Sequence, residues 1–382
     1  MIYFDNASTS HPKAPGVSNA MKNILDQGCF NINRGGYSDA YEISSLVFDT
    51  REKIAKLFGA KSPRNVVFSS GITHSLNIAL KGLLSPGDHV VTTQMEHNSV
   101  IRPLAQLKTL GVVVDVVRCD SSGMLDLDEM RKKITDNTKL VVITHASNVC
   151  GSIQPIREVG KLCREHGTLL LVDSAQTAGV LQISMECDHV DMLAFTAHKG
   201  LLSAPGLGGL VLSQNIADKI TPLIAGGTGS HTHIETMPNE LPDKLEAGTM
   251  NIPGIAALSA SLDYINEIGI DHIYENKYKL LTFLTGGLQA LESVHILGPE
   301  NLNAKCAIVA LDFKSLDNAT VSARLDEEFK IMTRCGLHCA PNAHKALGTF
   351  PHGVVRCSIG HKNTKAEIDE LLRAVEAITN GN

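Results

Sequence analysis

The sequence lacks the features that would place it against a nucleic acid or inside a membrane. Its 382 residues include 34 Lys and Arg against 40 Asp and Glu, a formal net charge of -6, so there is no basic excess. That balance disfavours nucleic acid or an anionic membrane as a partner. No apolar run approaches the roughly 20 residues that a membrane-spanning helix needs, and MIYFDNASTSHPKAPG has no basic flank leading into an apolar stretch. We therefore expect a cytoplasmic protein that binds neither membrane nor nucleic acid.

Disulfide patterning, repeats and nucleotide-binding loops are also missing. The nine cysteines are scattered and odd in number, a pattern that favours free thiols in a reducing compartment over a disulfide framework. The sequence has no internal repeat, low-complexity tail or acidic block. It has neither the Walker lysine pattern nor the dinucleotide glycine fingerprint, so nucleotide binding is not the natural interpretation.

The composition that remains is that of a soluble globular protein with an ample core. Hydrophobic residues make up 43% of the chain and charged residues 19%, which argues against disorder. A chain of 382 residues is longer than one hydrophobic core usually supports, so we expect two domains.

Apolar runs alternate with helical stretches over the first part of the chain. The predicted strands are 66–68, 89–92, 112–117, 140–144, 169–173, 192–195 and 208–213. The predicted helices, which place apolar residues three and four apart, are 75–84, 125–134 and 156–167. This alternation predicts an α/β fold with a large, mostly parallel seven-stranded sheet and helices on both faces. Ligands of such sheets bind beyond the carboxyl ends of the strands, so the chemistry is expected there.

The pattern changes after about residue 255. Two helical stretches, two short apolar strands and a last helix follow, at 255–269, 276–294, 306–313, 353–360 and 366–378. We therefore predict a large domain over 16–255 and a smaller α+β domain built from 1–15 and 256–382. The polar, glycine-rich stretch 226–241 has no periodicity and is predicted to be a long loop.

Two charged residues stand at the ends of predicted strands. Lys199 follows the apolar run in MLAFTAHKG, and Asp173 closes LLLVD. Each has an ordinary interpretation, since a lysine at a strand end commonly extends its ammonium into water and an aspartate commonly caps the next helix. Together they favour another: in pyridoxal-phosphate enzymes a lysine forms the Schiff base and an aspartate keeps the pyridinium nitrogen protonated.

The segment SSGITHSLNIAL joins a predicted strand to a predicted helix. Gly71 allows close approach of the backbone, and free amides at the helix N-terminus, with the Thr73 hydroxyl, are suited to a phosphate. An ordinary helix cap needs the same residue types. This segment alone therefore leaves both interpretations open.

Eight segments, in order, carry a resemblance to a known family: SSGITHSLNIAL, QMEHNSV, THASNVCG, VDSAQ, FTAHKG, LEAGTMNIPG, RCGLHCAP and VRCSIGHKNT. The sequence resembles the class V aminotransferase superfamily of fold type I pyridoxal-phosphate enzymes, and within it the cysteine desulfurases and selenocysteine lyases. The likeness runs nearly end to end, from FDNAS to the last helix. It implies a fold type I architecture and pyridoxal 5'-phosphate as the cofactor.

The resemblance also implies a set of cofactor contacts. Lys199 would form the Schiff base and move the substrate α-proton, and His97 would stack on the pyridine ring. Asp173 would pair with the pyridinium, and Gln176 would hydrogen-bond the phenolic oxygen. The phosphate contacts would be Gly71, Thr73, Thr196, His198 and, from the neighbouring subunit of a homodimer, Thr249.

The last third of the chain supplies the residues that separate desulfurases from transaminases. By resemblance, Cys339 attacks the sulfur of L-cysteine, takes it as a persulfide and leaves L-alanine. Arg356 matches the arginine that binds the substrate α-carboxylate, with Asn148, which also falls near the cofactor, and Arg334 close by. The flanking Cys335 and Cys357 are expected to be small buried hydrophobic residues. A metal site is the alternative, although the paired spacing of structural zinc is missing; its ligands would be Cys335, His338, Cys339 and His344.

The resemblance predicts a cysteine desulfurase, which is a sulfurtransferase, and leaves three alternatives. A selenocysteine lyase would use the same groups, another class V lyase or aminotransferase would make Cys339 incidental, and a non-catalytic sulfur-transfer scaffold would keep only the fold. The short stretch between Cys339 and Arg356 resembles the branch that passes sulfur to an acceptor protein. The sequence departs from the family at Asn33, where many relatives have a histidine, and in HKGLLSAPGLGG, which is one residue longer than the corresponding turn.

Overall fold

The computed structural model describes residues 1–32 and 35–381. The strands in these ranges are β1 (Ile2–Tyr3), β2 (Val66–Ser69), β3 (His89–Thr93), β4 (Val113–Val117), β5 (Thr138–Thr144), β6 (Leu169–Asp173), β7 (Met192–Thr196), β8 (Gly208–Leu212), β9 (Val294–Leu297), β10 (Ile308–Phe313), β11 (Ile331–Met332), β12 (Arg334–Gly336) and β13 (Val354–Ser358). The helices are α1 (Val17–Asp26), α2 (Ser38–Phe58), α3 (Ile72–Leu83), α4 (Asn98–Thr109), α5 (Leu127–Lys133), α6 (Ile156–Glu165), α7 (Ile252–Ile268), α8 (Ile270–Gln289), α9 (Asn318–Phe329), α10 (Pro341–Ala346) and α11 (Lys365–Thr379).

Strands β2 to β8 form one seven-stranded sheet in the order β2-β8-β7-β6-β5-β3-β4. Strands β3 to β7 run parallel to one another, whereas β8 is antiparallel to both of its neighbours, β2 and β7. The seven predicted strands and the mostly parallel sheet are thereby confirmed. Because β2 points the same way as β7, the carboxyl ends of β2, β6 and β7 meet at one edge of the sheet.

Helices cover both faces of this sheet because successive strand residues point to opposite sides. In β5, Val141 and Ile143 pack in one apolar cluster, and Leu140 and Val142 pack in the other. All four are fully buried, as expected for a parallel strand that is covered on both faces. The first cluster includes residues of α2 and α7, and the second includes residues of α3 and α4.

A second sheet, antiparallel and four-stranded, has the order β12-β13-β10-β9. Helices α8, α9 and α11 contribute apolar residues to the cluster that covers it, together with Phe4. The predicted strands at 306–313 and 353–360 and the predicted last helix are confirmed as β10, β13 and α11. A two-stranded parallel sheet joins β1 to β11, so the first residues of the chain lie beside the smaller sheet.

The part of the chain between β8 and β9 contains one long loop and two long helices, α7 and α8. Helix α7 runs across residue 255 and packs on α1 and α2, and the domain boundary predicted there stays a prediction. Residues 226–241 contain no helix or strand, as predicted for a long loop. No helix in the described part of the chain is long and apolar enough to span a membrane.

A buried ion pair connects α2 to the segment that follows the long loop. The Arg51 guanidinium donates to both carboxylate oxygens of Glu246, at 2.8 and 2.6 Å, and lies 4.6 Å from the centre of the Phe68 ring. The Phe68 N–H, in β2, donates to the same carboxylate. The pair therefore ties α2 and β2 to the segment that leads to Thr249.

We expect Glu246→Gln to lower the free energy of unfolding by about 3–5 kcal/mol, because it leaves the buried Arg51 guanidinium without its counter-ion. Urea unfolding followed by circular dichroism measures this change. The matched control is Asp263→Asn, which breaks the more exposed pair of Asp263 with Lys53 and should cost less than about 1 kcal/mol. Equal effects of the two substitutions would contradict the prediction.

Candidate active site

Three strands of the large sheet end at one edge. Asp173 is the last residue of β6, Thr196 is the last residue of β7, and Ser69 is the last residue of β2. Gly208, in β8, pairs with both Thr196 and Ser69. A Cβ atom on Gly208 would lie 2.7 Å from the Cα atom of Gly71, so a side chain there would push these strand ends apart. Glycine at this position lets the Gly71 turn, which follows β2, pack against β8 next to the end of β7.

Lys199 lies three residues beyond the end of β7, within electrostatic range of Asp173. Burial lowers the pKa of Lys199 to about 8; Asp173 opposes this shift, while Arg356 and Arg334 add to it. A lysine with a lowered pKa carries a larger fraction of free amine near neutral pH, and the free amine is the form that attacks a carbonyl. This environment favours the covalent role over an ammonium extended into water.

Asp173 is a buried carboxylate suited to a cationic partner. It is 2% exposed, and one of its oxygens accepts the Ala175 N–H at 2.9 Å, which is the ordinary capping interaction. Burial raises the pKa of Asp173, although the Ala175 N–H and the charge of Lys199 act in the opposite direction. A cationic donor brought to this carboxylate would stabilise its ionised form.

His97 is the N-cap of α4, and its Nδ1 accepts the Ser99 N–H at 3.0 Å. In the neutral imidazole the hydrogen therefore sits on Nε2. Burial lowers the pKa of His97 to about 4, and the positive charges of Lys199, Arg334 and Arg356 add to the effect. A pKa this low leaves the ring neutral near pH 7, and Lys199, Arg334, Arg102 and Arg356 all lie within electrostatic range of it.

The N-terminus of α3 has the form of an anion-binding turn. Gly71 precedes the helix with φ of 150°, and no side chain caps the first turn. Thr73 is exposed on that turn. His198 follows the neighbouring end of β7, and its buried Nδ1 has no hydrogen-bond partner among the described residues. Free backbone amides, a hydroxyl and an unpaired imidazole nitrogen are groups that can hold a phosphate.

Arg356 lies in β13 and is 1% exposed. Its Nη1 donates to the Asn148 carbonyl at 2.9 Å, and its Nη2 donates to Asp5 Oδ1 at 2.6 Å and to Ser8 Oγ at 2.8 Å. Arg334, on the neighbouring strand β12, donates to the same Ser8 oxygen at 3.0 Å. The fold thus brings the predicted Asn148, Arg334 and Arg356 together, and it adds Asp5 and Ser8, which the sequence pattern did not single out.

Cys339 lies in the short loop between β12 and α10, and it is exposed. His338 and Cys339 both have left-handed backbone angles, with φ of 47° and 58°, which costs on the order of 1 kcal/mol for each residue other than glycine. The Asn148 side chain donates to the His338 carbonyl at 2.7 Å, and the Asn98 N–H donates to the Cys339 carbonyl at 2.8 Å. These bonds hold the loop against residues adjacent to His97 and Arg356.

The cysteines and histidines around Cys339 have different environments. Cys357 is fully buried, as predicted, and burial raises its pKa to about 12. Cys335 is only partly buried, because it lies on β12 at the edge of the smaller sheet. His338 is buried, and burial lowers its pKa to about 2. Within residues 1–32 and 35–381, no group of three or more His, Cys, Asp or Glu side chains is arranged to hold a metal ion.

The remaining predicted contacts have other partners in the single chain. Gln176 is buried, and its side chain donates to the Ala7 carbonyl at 3.2 Å. Thr249 is exposed and borders, with His74, a cavity of about 240 Å³. Its reach into a neighbouring subunit stays a prediction. Asn33 lies outside the described residues.

Residues 5–13 form an N-terminal strap that connects the two sides of the site. On one side, Asp5 and Ser8 accept hydrogen bonds from the arginines. On the other side, the carbonyl of His198, the residue before Lys199, accepts the Ser10 N–H at 2.8 Å. The sequence signal for this segment is the FDNAS run, which carries part of the family resemblance but consists of residue types common in any loop.

The sequence matches a known protein family over almost its whole length. The profile of the family described as aminotransferase class-V matches residues 2–371. The chain belongs to the class-V aminotransferase family. The match covers both sheets and includes the predicted lysine, aspartate, cysteine and arginine positions.

Relatives of this class-V chain are named as cysteine desulfurases. A probable cysteine desulfurase of Methanothermobacter thermautotrophicus is 34% identical over 99% of this chain and 94% of its own length. A cysteine desulfurase of Haloferax volcanii is 30% identical over 99% of this chain and 89% of its own length. The solved apo structure of a cysteine desulfurase from Thermococcus onnurineus NA1 superposes with a TM-score of 0.93 at 34% identity, covering 100% of this chain and 95% of that one.

These comparisons confirm the predicted family, its fold type I architecture and its dependence on pyridoxal phosphate. The residues of this class-V chain fit that cofactor. Lys199 offers an amine with a lowered pKa, Asp173 offers a buried carboxylate suited to a cation, and His97 offers a neutral ring. The open turn at Gly71 and the unpaired Nδ1 of His198 suit a phosphate. The role of each single residue stays a prediction.

Proposed function

We propose that this protein is a pyridoxal-phosphate-dependent cysteine desulfurase that converts L-cysteine to L-alanine and collects the sulfur on Cys339. The named relatives support the activity. The Cys339 loop is the observation that supports the choice of nucleophile. The Cys339 thiol is exposed, and the loop backbone is hydrogen-bonded to Asn98, which follows His97, and to Asn148, whose carbonyl accepts from Arg356.

The residues around Lys199 prepare the amino acid for reaction at its α-carbon. Pyridoxal phosphate, when bound, supplies an electron-withdrawing ring that stabilises negative charge on that carbon. Lys199 would hold the cofactor through its amine and would accept the α-proton of the substrate; a pKa that burial lowers to about 8 suits both tasks. Asp173 would keep the ring nitrogen protonated, and His97 would be the residue that contacts the ring.

Arg356 is the anchor for the substrate α-carboxylate in this proposal. A planar guanidinium matches a carboxylate through two parallel hydrogen bonds, which fix orientation as well as position. Asn148 and Arg334 lie beside it. With its carboxylate held there, L-cysteine has a fixed direction in which its side chain can meet Cys339.

Cys339 reacts as a thiolate with the substrate sulfur. The new bond joins the two sulfur atoms, the Cβ–Sγ bond of the substrate breaks, and the carbon keeps the electron pair and takes up a proton. The products are L-alanine and a persulfide on Cys339, so every atom of L-cysteine and of the thiol is accounted for. A second thiol, from a small reductant or an acceptor protein, then removes the outer sulfur.

Incubation of the holoprotein with L-cysteine and dithiothreitol tests this proposal. We expect L-alanine and sulfide in equal amounts, together with a change in the visible spectrum of the cofactor. A spectral change without alanine would mean that the substrate assignment is wrong, and L-selenocysteine would then be compared as the substrate of the alternative lyase. No spectral change with either amino acid would favour the non-catalytic scaffold.

We further propose that the enzyme is a cytoplasmic homodimer that passes persulfide sulfur to an acceptor protein. All nine cysteines are free thiols, which suits a reducing compartment. Thr249 is exposed and therefore available to a second subunit. We also propose that the chain divides into a large domain, residues 16–255, and a smaller domain made of residues 1–15 and 256–382.

A further inference from the structure

The Arg356 guanidinium has few donors left for a substrate. Of its five N–H groups, one on Nη1 goes to the Asn148 carbonyl, and two on Nη2 go to Asp5 Oδ1 and Ser8 Oγ. The Nε atom is buried and has no partner among the described residues. A carboxylate bound by two parallel hydrogen bonds uses either Nε with Nη2 or Nη1 with Nη2. Both arrangements need Nη2, so both need a hydrogen that Asp5 or Ser8 now accepts.

Asp5 lies on the more open side of this contact. Its side chain is 21% exposed, whereas that of Arg356 is 1% exposed, so Asp5 rather than water meets the guanidinium. Ser8 Oγ donates to Asp5 Oδ1 at 2.8 Å and accepts from both Arg334 and Arg356. One hydrogen and two lone pairs are all that a hydroxyl has, so Ser8 is fully occupied in holding Asp5 and the two arginines together.

We infer that Asp5 is an internal carboxylate that competes with the α-carboxylate of the substrate for Arg356. In the free protein Asp5 satisfies the buried guanidinium, and an amino acid must displace it from Nη2 in order to bind. A ligand that brings only a carboxylate replaces one ion pair by another, whereas an amino acid adds contacts through its amine and side chain. Asp5 therefore selects against simple carboxylates. The inference rests on the proposed function, because it assumes that Arg356 is the carboxylate site.

Steady-state kinetics of the holoprotein with L-cysteine and propionate test this inference. Asp5→Asn keeps the size of the side chain and an acceptor oxygen but removes the competing charge. We expect the KM for L-cysteine to fall by about threefold or more, and the concentration of propionate needed for competitive inhibition to fall by about tenfold or more. The matched control is Asp369→Asn on α11, which removes an exposed aspartate paired with Lys365 and should change neither value.

A second variant covers the case in which Asp5→Asn does not fold. Ser8→Ala frees one Nη2 hydrogen and leaves the ion pair in place, so both values should fall, by smaller factors. A KM that rises in Asp5→Asn, with propionate inhibition unchanged, would mean that Asp5 only positions Arg356. Unchanged values in a folded Ser8→Ala would likewise overturn the competition.

Arg356→Lys separates failure of this inference from failure of the carboxylate assignment. It removes the two-point geometry and should raise the KM for L-cysteine by about tenfold or more. If that KM is unchanged, Arg356 does not bind the carboxylate, and the assignment and the inference both fall. If the KM rises there while Asp5→Asn has no effect, only the inference falls. Formation of alanine and sulfide by the unsubstituted enzyme decides the proposed function independently.

Discussion

Cys339→Ala is expected to lower the formation of L-alanine and sulfide from L-cysteine by about a thousandfold or more, because it removes the atom that accepts sulfur. The side chain is exposed, and the partner of the loop is its backbone carbonyl, which alanine retains. Fold and cofactor binding should therefore survive the substitution. We expect the spectral change on adding L-cysteine to persist while both products disappear, as measured by amino-acid analysis and a sulfide assay.

Two matched substitutions make the Cys339 result specific. Cys187→Ala removes an exposed thiol elsewhere in the chain, and Cys335→Ala removes the partly buried thiol four residues before Cys339. Both variants should keep their activity. If Cys335→Ala loses both products while Cys339→Ala keeps its activity, the nucleophile is Cys335 and the assignment to Cys339 is wrong. Activity retained in all three would support a class-V lyase in which Cys339 is incidental.

Lys199→Ala is expected to abolish covalent attachment of the cofactor and to lower turnover by about ten-thousandfold, because the amine both binds the cofactor and moves the α-proton. Borohydride reduction followed by mass spectrometry should find the cofactor on the peptide that contains Lys199 in the unsubstituted enzyme and on no peptide in the variant. Lys161→Ala, on the exposed side of α6, is the control and should behave as the unsubstituted enzyme does. Covalent cofactor on Lys199→Ala would disprove the assignment.

The pH dependence of cofactor uptake tests the environment of Lys199 as well as its identity. Burial lowers the pKa of Lys199 from 10.5 to about 8. Only the unprotonated amine attacks a carbonyl, so the rate of uptake by apoprotein should rise with pH through about 8 and level off above it. A rate that continues to rise towards pH 10.5 would mean that the lysine is hydrated rather than buried.

The large sheet could be predicted because its signal is local. Most of its strands are short, nearly continuous apolar runs, as expected for strands covered on both faces, and the helices between several of them repeat apolar residues at three and four positions. Helix α2 gives a weaker signal, since Tyr41 and Phe48 are exposed on it and blur its polar face. Strands β11 and β12 contain two and three residues, which is too short for any alternation to show.

In the candidate site, too, some residues could be identified from the sequence and others could not. Lys199 and Asp173 could be identified because each charge interrupts or closes an apolar run, and the family resemblance supplied Cys339 and Arg356. Asp5 could not be identified from the sequence for two reasons. It is separated from Arg356 by 351 positions, and the residues around it are of types common in any loop. The packing of the Gly71 turn beside β7 likewise depends on Gly208, a glycine whose importance shows only when the neighbouring backbone is in place.

By itself, the sequence determined which chemical groups this protein carries and at which ends of which strands they stand. Only the tertiary structure decided their protonation and their partners: a lysine with a lowered pKa, a neutral His97, and an arginine already bound to a carboxylate of its own chain. The physical reason is that strand and helix patterns depend on neighbours in the chain. Desolvation and ion pairing depend on segments that meet only after folding.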